Sequence, residues 1–88
     1  MELHRANNAE ESIHFGTYIG KAVVTKQSPF SGNWHTAILA MNDDQYSNWK
    51  SGGTLIQEAL PHLTADEREF LMTGITPEEW NEAFGEEE

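Results

Sequence analysis

The chain has 88 residues, no cysteine and a formal charge of -10, so it has room for one small domain whose core must use nearly every apolar residue available. Without thiols there is no disulfide framework, thiolate metal site or cysteine nucleophile, which fits a reducing, cytoplasmic setting. The acidity argues against direct nucleic-acid binding, which is driven by cations that displace counterions from phosphate, and no run reaches the roughly 18 apolar residues of a membrane span.

Residues 1–12 combine Asn7, Asn8, Glu10 and Glu11 with few large apolar groups. This predicts a mobile arm and lacks the basic start and apolar stretch of a secretory leader. From 13 to 26 the chain is rich in Ile13, Phe15, Thr17, Tyr18, Ile19, Val23, Val24 and Thr25, interrupted by Gly16 and Gly20, and reads as one long or bulged strand. A second strand is expected over 34–41, joined to the first through the Pro- and Gly-containing connector 27–33 as an antiparallel hairpin with a long tip. Within it Trp34, Thr36, Ile38 and Ala40 share one face, and His35, Ala37, Leu39 and Met41 the other. Both faces carry apolar groups, so one is expected under helices and the other against a further strand or a partner.

After Met41 the apolar period lengthens to that of a helix. Asn42 or Asp43 caps a short helix ending near Trp49 or Lys50, and Ser51-Gly52-Gly53 stops it. Thr54 is expected to cap a helix over 55–60, with Leu55, Ile56, Ala59 and Leu60 as its apolar stripe and Pro61 as its end. Thr64-Ala65-Asp66-Glu67 and Thr76-Pro77-Glu78-Glu79 both match the capping box, in which the Thr hydroxyl accepts the N3 amide and the Glu reaches back to the cap amide. Gly74 and Gly85 stand where left-handed helix ends belong. Phe70 and Leu71, then Trp80, Ala83 and Phe84, are the apolar groups expected to hold the last two helices on the hairpin. The fold class is therefore α+β: an N-terminal antiparallel β-hairpin or small sheet packed against three or four short C-terminal helices, as one domain over 13–85 with an acidic tail over 86–88.

The charge is unevenly placed. Residues 55–88 hold ten carboxylates against Arg68 alone, whereas residues 1–54 hold five acids against four cations. Asp66, Glu67, Glu78 and Glu79 fall in first helical turns, where the helix dipole favours them by roughly 0.3 to 1 kcal/mol each. Glu69, Glu82, Glu86, Glu87 and Glu88 have no such folding role, which makes them the candidate partner-binding acids beside a plain contribution to solubility. Phe30 joins them, because an aromatic at a hairpin tip is either partly exposed for binding or folded back on the core. Trp34, Trp49 and Trp80 are read as core residues first and as binding anchors second.

Three stretches, Ser28-Pro29-Phe30-Ser31-Gly32 with Trp34-His35-Thr36, LIQEALPHLT at 55–64 and DEREFLMTGITPEEW at 66–80, resemble a family of short acidic proteins encoded by bacteriophages and prophages. The resemblance implies a setting, since small acidic phage proteins often block host CRISPR effectors, restriction enzymes or DNA-repair enzymes, some by imitating the charge of DNA.

Catalytic chemistry has little purchase here. His14, His35 and His62 lie on separate elements without a metal-binding spacing. No nucleophile elbow frames a serine, and Gly52-Gly53-Thr54 lacks the Lys and the length of a phosphate loop. The expectation is a non-enzyme without metal or cofactor. Its partner is a basic host protein that normally binds nucleic acid, met in the host cytoplasm by a monomer or homodimer of this chain. The competing expectation is a phage structural or assembly protein that self-associates through the hairpin edge and exposed aromatics.

Overall fold

The computed structural model describes residues 3–6 and 10–84. Among these the chain forms β1 (Leu3–Arg5), β2 (Ser12–Tyr18), β3 (Lys21–Gln27) and β4 (Trp34–Leu39), then α1 (Asp43–Lys50), α2 (Ile56–Ala59), α3 (Ala65–Thr73) and α4 (Pro77–Phe84). The strands make one antiparallel sheet in the order β1-β4-β3-β2, and the fold is α+β with its strands first.

Two expectations are corrected at the N-terminal end. The stretch read as one strand over 13–26 is a hairpin of its own, because Tyr18 pairs with Lys21 around Ile19-Gly20. Gly20 has φ 73° there and Gly16 has φ 93° at the irregularity between Phe15 and Tyr18; residues at positive φ cannot continue a regular strand. The arm expected over 1–12 is partly built into the sheet. Leu3, His4 and Arg5 pair with Ala37, Thr36 and His35 of β4, and Ser12 already belongs to β2. Three residues carry too little periodicity for a strand to be recognised without its partner.

Register separates the sheet into two unlike faces. Ile13, Val24, Ala37 and Leu3 form one cross-strand row and Phe15, Ala22 and Leu39 the next. This face meets Met41, Leu60, Leu63, Phe70 and Leu71 in the core, with Tyr46, Trp49, Ile56 and Ala59 partly buried against it. The opposite face carries the rows His4, Thr36, Thr25, Ser12 and Ile38, Val23, His14. One face of β4 lies under the helices as expected, with Ala37 and Leu39, and Met41 just beyond the strand, fully buried, while Thr36 and Ile38 on the other face are only partly covered.

The helix starts follow their local signals. Asn42 caps α1 with a full capping box: its Oδ1 accepts the Gln45 amide, and the Gln45 side-chain oxygen accepts the Asn42 amide. Thr64 and Thr76 do the same with Glu67 and Glu79. The expected cap Thr54 is displaced: α2 begins after Leu55, without a side-chain cap. Leu55 itself is 62% exposed and leaves the apolar stripe to Ile56, Ala59 and Leu60. α3 ends on Gly74 with φ 84°. A Cβ at that position would also stand 2.5 Å from the Gln27 carbonyl oxygen, so both conformation and the close approach of α3 to the end of β3 require glycine. The expected cap Gly85 lies outside the described residues.

Candidate partner-binding surface

The tip between β3 and β4 is a folded object. The Ser28 hydroxyl accepts the amides of Phe30 and Ser31 at 3.1 and 3.4 Å, and the Gly32 amide reaches the Ser28 carbonyl at 2.8 Å. Ser28 is 1% exposed, so this turn holds Phe30 and Ser31 in place beside α4.

α4 is attached to that tip by a polar staple and an aromatic cluster. The Glu79 carboxylate divides its two oxygens, accepting the Thr76 amide at 3.0 Å on Oε1 and the Ser31 hydroxyl at 2.5 Å on Oε2. Burial alone would raise the Glu79 pKa, but hydrogen bonds from Ser31, the Thr76 amide and Ser28, together with nearby His35, outweigh it and hold the carboxyl below its ordinary range. Beside the staple, the Phe30 ring lies 5.9 Å from Trp80 and 5.8 Å from Phe84, and Trp80 and Phe84 are 4.8 Å apart.

Trp80 and Phe84 hold α4 on the hairpin as expected, but they do so at its tip through Phe30 and outside the core. The buried residue of α4 is Glu79, while Phe84 is 64% and Phe30 47% exposed. Trp80 is half-buried and also faces Ala65 and Glu69 of α3, whereas Phe84 has ring contacts with Phe30 and Trp80 and stays largely in water. Phe30 thus answers both expectations: it folds back onto α4, yet nearly half of it stays in water.

Carboxylates flank this cluster on both sides of α4. On one side Asp66 and Glu69 of α3 meet Pro77, Trp80 and Asn81 around an open depression of 310 Å³. On the other, Glu78, Glu79 and Glu82 share a hollow of 220 Å³ with Ser31, His35 and Arg5; the Arg5 guanidinium donates to Asn33 Oδ1 at 2.9 Å. The candidate acids Glu69 and Glu82 are therefore brought to one surface but to opposite flanks of a helix. No cation lines the Glu69 flank among the described residues, whereas Arg5 moderates the Glu82 flank. Glu86, Glu87 and Glu88 lie outside the described residues.

Asp66 and Glu78 belong to this rim although they read only as helix-start acids, and Phe84, expected as an anchor on the hairpin, makes that contact while staying exposed. His62 Nε2 contacts the Ala40 carbonyl and His35 sits near Glu79, while His4 and His14 both line the hollow on the other side of the sheet. Among the described residues no group of three or more His, Asp or Glu side chains is placed to hold a metal ion. No helix among them is long and apolar enough to cross a membrane. Comparison of the chain with protein-family models, curated proteins and solved structures gives no match.

Proposed function

We propose that this chain is a protein-binding module that inhibits a basic, nucleic-acid-processing partner by occupying the surface where that partner holds nucleic acid. The observation that supports it is the half-open Phe30, Trp80 and Phe84 cluster with Asp66 and Glu69 on one flank and Glu78 and Glu82 on the other. Exposed aromatics supply the desolvated anchor that a stable contact needs, and the surrounding carboxylates steer a basic surface toward it. The module acts by binding, without catalysis or cofactor. In the bacteriophage setting that the resemblance implies, its target is a host-defence nuclease or repair protein of the anti-CRISPR or DNA-mimic kind.

The experiment is capture from a bacterial lysate on the immobilised protein, followed by elution with duplex DNA or with salt. A basic nuclease or repair protein released by either, and not captured by a Phe30→Ala, Phe84→Ala variant that remains folded, supports the reading. Capture that DNA does not displace overturns the charge-mimic mechanism.

A further inference from the structure

We infer that the uncovered face of the sheet is a contact surface for a second copy of this chain. It lies on the side of the sheet away from the helices, and its centre is apolar. Ile38 and Val23 stand side by side with His14 at the end of their row. Thr25, already buried, and Thr36 share a hydroxyl hydrogen bond of 2.8 Å, which leaves a single hydroxyl proton of the pair to be partnered if the face is covered. Tyr18 and Thr17 extend this surface into an open hollow of 450 Å³, and the adjacent hairpin tip holds up Ile19, which is fully exposed.

Charge argues for a second copy as the occupant. Among the described residues lining the hollow there is no carboxylate, lysine or arginine, in a chain of formal charge -10. Two copies that meet through their helices bring like charges together. Two that meet sheet to sheet keep the acidic helices on the outside, about 30 Å apart for layers about 10 Å thick, well beyond the Debye length of about 8 Å at physiological salt. The hollow, whose described lining holds two histidines and no carboxylate, offers a basic partner no attraction, whereas a second copy brings the same apolar centre under a two-fold axis.

The strand edges are less suited to the same task. β1 has three residues, and β2 is irregular between Phe15 and Tyr18; short and bulged edges resist strand addition. Four strands spaced by about 4.8 Å and about 20 Å long offer roughly 400 Å² in projection, near half of what each partner gives to a standard interface. The dimer is accordingly weak and concentration-dependent.

Sedimentation equilibrium of the full chain, from about 10 µM to about 1 mM and at about 50 and 500 mM salt, tests this. The expected result is a reversible monomer–dimer equilibrium that strengthens several-fold as salt screens the mutual repulsion, opposite in sign to binding of a basic partner. His14→Glu, at an exposed position, is expected to weaken the dimer more than tenfold by placing like charges face to face, and Ile38→Glu to do the same. Circular dichroism checks that both variants remain folded, and His14→Glu serves alone if Ile38→Glu does not. Glu69→Lys on the helical side leaves the sheet-to-sheet contact in place. A monomer at every concentration and salt, or a dimer that persists in His14→Glu, overturns the inference; the first outcome would leave the face to a different, uncharged partner. Neither outcome touches the reading of the aromatic surface, which lies on the other side of the molecule.

Discussion

Glu79 links three parts of the molecule through one carboxylate: its own helix start, the β3–β4 tip and the polar end of the sheet near His35. Its hydrogen bonds favour the ionised form, so its folded pKa lies below the ordinary carboxyl value. Stabilisation from Glu79 is therefore complete above the unfolded-state value and is lost as pH falls through the lower folded value. Thermal melts between neutral pH and about pH 3 are expected to show a smaller acid-induced loss in Glu79→Gln than in the native chain. An identical pH dependence would remove the staple from this role. Gly74→Ala tests a steric requirement at the same scale. A left-handed alanine whose Cβ must displace the Gln27 carbonyl is expected to cost about 2 to 4 kcal/mol in denaturant unfolding.

At the scale of elements, the two capping boxes that look alike along the chain are placed in different surroundings. Thr64 is exposed, whereas Thr76 is 4% exposed and supports Glu79. Thr64→Ala is expected to cost about 0.5 to 1 kcal/mol. Thr76→Ala should approach 2 kcal/mol or more, because it leaves a buried amide without an acceptor; equal thermal shifts would contradict this ordering. β1 makes a different prediction. Leu3 packs on the core, Arg5 bonds Asn33, and the Ala6 amide bonds the Trp34 carbonyl at 2.9 Å. Deleting residues 1–6 is expected to leave a folded chain that is less stable by about 1 to 3 kcal/mol. Amide dispersion in NMR spectra and the melting midpoint report the two parts of that outcome. The bared edge of β4 should also raise the tendency to aggregate.

At the scale of the molecule, the acids surround α4 while the far side of the sheet is uncharged across its hollow. Glu69→Lys with Glu82→Lys is expected to keep the melting temperature within a few degrees. The same pair should weaken binding to a captured basic partner more than tenfold at low salt, mostly through slower association. Of the two, Glu69→Lys carries the larger share, because Arg5 already offsets the Glu82 flank. Stopped-flow kinetics decide this, and an unchanged association rate would leave the aromatic cluster alone as the contact.

The features legible along the chain are those whose causes lie within a few residues of each other. Thr64 with Glu67 and Thr76 with Glu79 are three residues apart, and the alternation of Ala37 and Leu39 with Thr36 and Ile38 is a property of β4 alone. Local hydrogen-bonding geometry and side-chain period thus determined the starts of α1, α3 and α4, the α+β class and the two-faced β4, though not the uncapped start of α2. Tertiary structure decided what depends on distant partners. Arg5 and Asn33 are separated by 28 positions and Ser31 and Glu79 by 48. Neither pairing has a periodic trace, so β1, the staple and the surface around it become visible only once the chain has closed. The acids were countable from the start, but their division between the flanks of α4 was not. Which apolar groups stay wet was likewise decided by covering: Phe84 belongs to an amphipathic helix by pattern, and it stays exposed because nothing in the described fold packs over it.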